Sequence, residues 1–331
     1  MHPLKNSTRI NELFIAVLKF TRRGCSGGWW VFVLLFCTAS HAPAQSLGDS
    51  KQTDVTVVLS EKSGSYVEFS NALDTLPGRN IPHRVIDTTE PIPASGLVIG
   101  VGTKAATAVA ASDAPFVLNV LITKAIQTKL LHDYPRRTDS HTFSAIYLDQ
   151  PIQRQAHLIA AILPGKRNVG ILYSAPPKEL AQMREVLKAS GLTLHEQEVG
   201  AELPLPDALQ EILLGRSEVL LALPDAAVYN DSTIRNILLA TYRRGIPLIG
   251  FSAGYVNAGA LCAVFSTPVQ IAAQAAVLIG QFGNTHVLPS PQYPHEFEVL
   301  VNEPVARSLD LQIKKASALQ EEIRSQIEVI P

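Results

Sequence analysis

Two short stretches, Val55-Thr-Val-Val-Leu-Ser60 and Asn168-Val-Gly-Ile-Leu-Tyr-Ser174, decide the fold that this sequence predicts. Each is an apolar run that ends in a serine, which is typical of a buried strand in a parallel sheet. Each leads into an amphipathic helical stretch and then into further strand and helix patterns. A second correspondence joins Ala114-Pro-Phe-Val117 to Ile246-Pro-Leu-Ile249. This alternation predicts an α/β protein built from two similar, Rossmann-like lobes.

The lobe boundaries follow from where the two series of strands begin and end. We expect residues 53–148, with a returning tail at about 289–331, to form the first lobe, and residues 151–283 to form the second. The hinge is expected near Asp149–Pro151 and again between Gly283 and His295. Ligands of open parallel sheets bind outside the carboxyl ends of the strands. The predicted ligand site is therefore a cleft between the two lobes.

The first 44 residues have the pattern of an export signal. Five basic residues precede the apolar run Trp29–Cys37, and the small residues Ala42-Pro-Ala44 follow it. We expect a signal peptide at residues 1–44 that is cleaved after Ala44, and hence a periplasmic protein. Lipid attachment at Cys37 is an alternative, although the bulky Phe36 disfavours it.

Charge and hydropathy exclude two classes of partner. The 331 residues carry 28 Lys and Arg against 29 Asp and Glu, and removal of the signal leaves 23 against 28, a net charge of −5. A nucleic-acid binder needs the opposite sign. The stretch 245–295 has no charged side chain other than histidine, but polar residues interrupt it too often for a transmembrane helix. We therefore expect no membrane span once the signal is removed.

A serine hydrolase is the enzymatic alternative. Gly250-Phe-Ser-Ala-Gly254 has the G-x-S-x-G pattern of a nucleophile elbow and follows a predicted strand. An α/β-hydrolase needs an acid and then a histidine after the serine, but no acid lies between Ser252 and His295 and no histidine follows Glu296. A triad completed from the first lobe is the remaining option. We expect no catalysis and place Ser252 in the cleft wall.

No cofactor or metal is expected either. Gly100-x-Gly102-x-x-Ala105 resembles a dinucleotide fingerprint, but no acid stands about 20 residues further on. A helix start at Thr103 that offers N–H groups to a carboxylate explains this turn better. The histidines lack metal-ligand spacing, and Cys262 is the one cysteine outside the signal.

Polar residues just beyond the strand ends are the candidate ligand contacts. Asp225 ends an apolar strand and is a candidate partner for an ammonium group, with a capping role as the alternative. For the serines, Thr123 and Tyr255, ordinary turn chemistry is the alternative. The full candidate set is Ser60, Ser63, Gly102, Thr103, Thr123, Ser174, Asp225, Tyr229, Asn230, Ser252 and Tyr255.

The chain resembles the ABC-transporter substrate-binding proteins of the type I periplasmic-binding-protein fold, in particular the group that includes tryptophan and tyrosine binders. The resemblance covers residues 53 to 311. The segments that carry it are Phe143-Ser-Ala-Ile-Tyr-Leu-Asp-Gln-Pro151, Arg167-Asn-Val-Gly-Ile-Leu-Tyr-Ser174, Leu221-Ala-Leu-Pro-Asp225, Val228-Tyr-Asn230, Gly245-Ile-Pro-Leu-Ile-Gly-Phe-Ser252, Val256-Asn-Ala-Gly-Ala260, Gln274-Ala-Ala276, Val301-Asn302 and Ala306-Arg-Ser-Leu309.

The resemblance implies a monomeric binder that closes over a small polar ligand and presents it to a membrane permease driven by a cytoplasmic ATPase. Gly102 and Thr103 would then receive a carboxylate, and Asp225 an ammonium group. Lys104 and Leu121-Ile-Thr-Lys124 depart from the family pattern, which often has Asp-Pro at the latter place. The ligand class therefore stays open between an amino acid and a related organic ion. A sensor that reports its ligand to a receptor is the alternative function.

Overall fold

The computed structural model describes residues 54–76 and 81–328. The predicted signal peptide, the alternative lipid site at Cys37 and the cleavage site after Ala44 lie outside these residues. Within the described part of the chain, no helix has both the length and the apolar character needed to cross a membrane.

The first sheet contains five parallel strands. Its strands and their helices are, in chain order, β1 (Val55–Leu59), α1 (Gly64–Thr75), β2 (Arg84–Asp87), β3 (Leu97–Val101), α2 (Thr103–Ala111), β4 (Phe116–Ile122), α3 (Lys124–Asp133) and β5 (Phe143–Tyr147). The strand order is β2-β1-β3-β4-β5. Strands β1, β3 and β5 are buried along their whole length, as continuous apolar runs predict.

The second sheet repeats this order and adds one antiparallel strand. Its elements are α4 (Ile152–Ile162), β6 (Asn168–Tyr173), α5 (Leu180–Ala189), β7 (Thr193–Glu198), α6 (Leu205–Leu214), β8 (Val219–Leu221), α7 (Ile234–Arg243), β9 (Leu248–Gly250), α8 (Ala253–Ala258), β10 (Cys262–Phe265), α9 (Pro268–Thr285), β11 (Glu298–Val301), α10 (Glu303–Ser308) and α11 (Ala316–Glu328). The sheet order is β11-β10-β9-β8-β6-β7, and β11 runs antiparallel to β10. Omitting β11, both sheets have the doubly wound order 2-1-3-4-5.

The C-terminal elements differ from the expected lobe boundaries. Helix α9 packs on the first sheet, where its apolar side chains share a core with β1 and β3 and the Phe282 ring lies 4.8 Å from Phe116. Strand β11 and helix α11 instead complete the second lobe, and Leu319 and Ile323 are buried in its core beside α4. The sequence pattern gives the apolar face of α9 but not the sheet that the face covers. The tail therefore lies with the second lobe, and residues 268–285 lie with the first.

The chain passes between the lobes three times as a consequence. The first crossing joins β5 to α4, the second joins β10 to α9, and the third runs from the end of α9 at His286 to β11. The second crossing ends at a well-defined N-terminus of α9. Thr267 and Gln270 form a reciprocal capping box there, and Pro268 fits the first helical turn. The third crossing also extends the first sheet, since Gln292 pairs with β5.

Candidate functional site

Asp225 and Ser174 meet at the carboxyl ends of β6 and β8. The backbone N–H and the hydroxyl of Ser174 both donate to Oδ2 of Asp225, at 2.6 and 2.8 Å, and the N–H of Ala227 donates to Oδ1 at 3.0 Å. The carboxylate is half-buried. No Lys or Arg of the described residues lies within ion-pairing distance of it. Asp225 thus caps a turn, as the alternative proposed, and also presents a fixed negative charge.

Three aromatic side chains lie beside this pair in the second lobe. The Tyr255 ring is 4.3 Å from that of Phe251 and 6.4 Å from that of Tyr229. Burial raises the pKa of Tyr255 to about 12, and it raises the pKa of Tyr229 as well. Tyr229 is only 4% exposed and belongs to the core under β6 and β8. Tyr255 is therefore partly exposed beside Asp225 and Ser174, whereas the neighbouring Tyr229 is buried.

Ser60 and Gly102 build the start of α2 in the first lobe. The buried Ser60 hydroxyl donates to the carbonyl of Val101 at 2.8 Å and accepts from the N–H of Ala105 at 3.0 Å. Gly102 has φ +84°, and a Cβ there would lie 2.5 Å from a ring carbon of Tyr66. Ser60 is thus occupied by the backbone, which goes against its expected ligand contact. Thr103 is the exposed first residue of α2 and lies just beyond the end of β3.

The remaining polar candidates divide into two pairs. Thr123 caps α3 by accepting from the N–H of Ile126, and the side-chain Oδ1 of Asn230 accepts from the N–H and hydroxyl of Ser232, so both side chains serve local turns. Ser63 and Ser252 directly precede α1 and α8, and neither side chain makes a capping hydrogen bond. Their hydroxyls remain available at strand ends.

The position of Ser63 is distinct, because it lines a groove of about 490 Å³ between α1 and the start of α9. The serine hydrolase alternative would need a histidine and an acid paired with Ser252. Among the hydrogen bonds of the described residues, none pairs the Ser252 hydroxyl with a histidine or an acid. Those residues also form no group of three or more side chains suited to a metal ion.

A cluster that sequence reasoning missed lies where the two lobes face each other. Lys124 begins α3 in the first lobe, and its ammonium group is 2.8 Å from Oε1 of Glu179, which precedes α5 in the second. The same ammonium group donates to the Tyr293 hydroxyl at 3.3 Å, and the Tyr293 ring meets that of Tyr147 edge-on at 5.4 Å. Both charged residues follow carboxyl ends of strands, so these ends face one another where the two lobes meet.

Asp149 supports this cluster from the first crossing. Its carboxylate accepts from the backbone N–H of Lys124 at 2.7 Å. Burial raises the pKa of Asp149, although this hydrogen bond opposes the rise. Departure of Lys124 from the family pattern was the one sequence signal for the cluster. The partners of Lys124, Glu179 and Tyr293, lie 55 and 169 positions away along the chain, and local sequence patterns do not show such distant contacts.

Buried polar side chains connect the three crossings. Gln150 of the first crossing donates to the Ser266 hydroxyl of the second at 2.8 Å, and Ser266 in turn donates to the carbonyl of Glu296 in the third. Gln274 of α9 bonds Gln292 and the backbone of the third crossing. The crossings therefore form one connected hinge.

Comparisons with known proteins agree with this architecture. Residues 93–321 match the family model described as ABC transporter substrate binding protein. A conserved domain protein from Vibrio cholerae is 20% identical, with a TM-score of 0.54 and coverage of 82% of this chain and 98% of that one. A comparison with curated protein sequences gives no match.

Two further solved structures share the fold. An ABC domain from Streptococcus pneumonia in complex with L-Trp is 16% identical, with a TM-score of 0.58 and coverage of 81% of this chain and 98% of that one. A ligand-free, open substrate-binding protein with adhesive properties from Clostridium difficile is also 16% identical, with a TM-score of 0.59 and coverage of 80% and 96%. With a family match over more than half of its length and two sheets of parallel strands, the second of them extended by the antiparallel β11, this chain belongs to the ABC transporter substrate-binding proteins.

Proposed function

We propose that the chain is the periplasmic solute-binding component of an ABC uptake system, and that it captures a small polar ligand, an amino acid or a related organic ion, by closure of its two lobes. Residues 1–44 act as the export signal in this proposal, and a permease with a cytoplasmic ATPase receives the ligand. The observation that carries the proposal is the Asp225 carboxylate, which three N–H and O–H donors hold at a strand end of the cleft.

The fixed carboxylate supports a ligand with an ammonium group. Its donors hold the anion in one orientation before the ligand arrives, which lowers the entropic cost of binding. The opposite lobe offers Thr103 at the start of α2, where helix N–H groups favour a carboxylate. A zwitterion can therefore contact both lobes at once. The L-Trp complex of the distant structural neighbour is compatible with this class of ligand.

Closure follows from contacts that exist in only one state. A ligand that touches both lobes only when they are closed shifts the population toward the closed form. A shift from 1:99 to 99:1 needs about 5.5 kcal/mol of differential affinity. Charge-assisted hydrogen bonds of about 1.5–3 kcal/mol each supply this with a few contacts.

A thermal-shift screen of amino acids and small organic anions tests the proposal. A ligand at about 100 times its Kd should stabilise the protein by about 2.7 kcal/mol, which for a chain of this size raises Tm by about 4–5 °C. Asp225→Asn should weaken binding of a cationic or zwitterionic hit about 10- to 100-fold, because one charge-assisted hydrogen bond is lost.

Glu218 provides the matched control. It precedes β8 as Asp225 follows it, and its carboxylate likewise accepts backbone N–H groups, from Arg167 and Asn168. Glu218 lies at the amino end of the strand, away from the cleft. Glu218→Gln should therefore leave ligand affinity unchanged. Equal affinities for wild type and Asp225→Asn would show that this carboxylate does not bind the ligand.

A further inference from the structure

We propose that Lys124 and Glu179 form an interlobe latch, an ion pair that holds the two lobes together before any ligand arrives. The inference rests on the proposed closure of the lobes and adds to it a contact made by the protein alone. It makes the ligand-free protein a mixture of open and closed forms whose ratio depends on this pair.

The pair lies at the strand ends that separate when the two lobes open. Lys124 directly follows β4 and Thr123 in the first lobe, and Glu179 follows β6 in the second. Their charged atoms are 2.8 Å apart, and each side chain is about one third exposed, at 32% and 35%. Separation of the strand ends must break this contact, because Lys124 belongs to the first lobe and Glu179 to the second.

Neighbouring groups hold the ammonium group in place. It donates to the Tyr293 hydroxyl at 3.3 Å, and it lies 5.3 Å from the centre of that ring. Burial disfavours the charged form of Lys124, but hydrogen bonds to Glu179 and Tyr293 outweigh it and raise the pKa above its usual value. Asp149 fixes the backbone N–H of the same residue. Tyr293 and Asp149, neither of which belongs to the second lobe, thus orient Lys124 toward Glu179.

The acid is held by a loop that also reaches the proposed ligand site. This loop, residues 174–179, begins at Ser174, which donates twice to Asp225. Pro176 and Pro177 restrict its backbone, and the carbonyl of Pro177 accepts from the N–H of Leu180 as α5 begins. One short, stiff loop therefore joins the carboxylate proposed to bind the ligand to the residue that contacts the other lobe.

The latch has two consequences for binding. A closed population in the absence of ligand reduces the conformational cost that the ligand must overcome, so the apparent affinity rises with the closed fraction. A partly exposed ion pair is also screened by salt. The latch therefore makes both the ligand-free conformation and the affinity depend on ionic strength.

Single-molecule FRET on the ligand-free protein tests the latch. Dyes are attached after Thr107→Cys in α2 and Asp207→Cys in α6, two exposed positions on opposite lobes, while the native Cys262 is buried. Glu179→Gln should raise the open-to-closed ratio about three- to fivefold at low salt, which corresponds to about 0.7–1 kcal/mol. The wild type should approach this ratio as salt rises from about 0.02 to about 0.5 M.

The pair Lys104–Glu61 is the matched control. Its charged atoms are 2.9 Å apart, and both residues belong to the first lobe, so Glu61→Gln should leave the ratio unchanged. The exchanged pair Lys124→Glu with Glu179→Lys should restore the wild-type ratio in part. Restoration excludes a general loss of folding as the cause of the Glu179→Gln effect.

Two results would overturn the latch. One is a ligand-free ratio for Glu179→Gln that equals both wild type and Glu61→Gln at low salt. The other is a change in Glu179→Gln that the exchanged pair does not reverse. Either result leaves the proposed function standing if a ligand still closes the lobes, whereas failure of every ligand to bind or close them counts against the function itself.

Discussion

Replacement of Arg154 by methionine should weaken the hinge more than any single change in the cleft. Arg154 lies on α4 and is only 7% exposed. Its guanidinium donates to the Gln150 side chain at 2.8 Å and to the carbonyls of Pro294 and His295 at 2.7 and 2.8 Å. It also lies 4.6 Å from the centre of the Phe297 ring. One side chain thus joins the second lobe to the first and third crossings.

The magnitude follows from two opposing effects. Hydrogen bonds from a charged donor stabilise a protein by about 1.5–3 kcal/mol each, and Arg154 makes three. Burial lowers the pKa of Arg154 from its usual value to about 10, which corresponds to a cost of about 3 kcal/mol for keeping the charge. Methionine removes this cost and fills part of the volume against Phe297. The net loss expected is about 2–4 kcal/mol, or about 3–7 °C in Tm.

Arg137 gives a control of equal burial in the first lobe. It is also 7% exposed and donates to the backbone carbonyls of Ala110, Ala114 and Ser112, but it contacts no crossing. Arg154→Met and Arg137→Met should both lower Tm in circular dichroism. The radius of gyration from small-angle scattering should rise for Arg154→Met alone, since the lobes are then less restrained. A loss below about 1 °C for Arg154→Met, or the same expansion in both variants, would refute the reasoning.

Two further predictions concern the first lobe and its crossing. Gly102→Ala should cost about 2–4 kcal/mol in chemical denaturation, because φ +84° excludes a side chain and the new Cβ would meet Tyr66, whereas Gly64→Ala, at φ +55° with open space around it, should cost about 1 kcal/mol. Asp149→Asn should raise Tm at pH 7 but not at pH 3. Because burial raises the pKa of Asp149, its contribution to stability is complete at a pH below the usual aspartate pKa and is lost as the pH rises through the pKa of the folded state. A difference in Tm between the two proteins that does not change with pH would contradict this explanation.

The sequence predicts the interior of the fold well because buried parallel strands are short apolar runs that are easy to recognise. Strands β1, β3 and β5 are short apolar-rich runs in the sequence and fully buried in the structure, and the repeated order of the two sheets agrees with the correspondence between their first strands. Strand β2 was missed, since Arg84–Asp87 is an edge strand in which only Ile86 is buried. Helix α3 was missed because its buried face includes Gln127 beside Leu130, which obscures the apolar period.

The choice of lobe for the C-terminal elements needed information that the sequence pattern does not contain. The apolar stripe of α9 fits either sheet equally well by period alone. Its capping box at Thr267 and Gln270 marks where the helix begins but not the direction in which the chain leaves β10. The antiparallel pairing of β11 with β10 places the tail in the second lobe. That pairing joins Cys262 to Val301 across 39 positions.

The candidate site shows the same division between local and distant contacts. Pairing of Ser174 with Asp225 was predictable in kind, because both follow strands of one parallel sheet and their carboxyl ends share an edge. Ser60, Thr123 and Asn230 instead use their side chains on nearby backbone groups. Short polar residues at strand ends satisfy either role, and only the actual backbone path distinguishes the two.

The arrangement of buried polar bonds limits how this molecule can open. Gln150 and Ser266 join crossing to crossing, and Gln274 joins α9 to the third crossing, so we expect these bonds to persist while the lobes rotate. The Lys124–Glu179 pair joins lobe to lobe at the strand ends, and opening must break it. The equilibrium between open and closed forms then depends on few contacts, each worth little alone. In the proposed function, a ligand that contacts Asp225 on one lobe and the start of α2 on the other favours the same closed form as this pair, and the pair lowers the differential affinity that the ligand must supply.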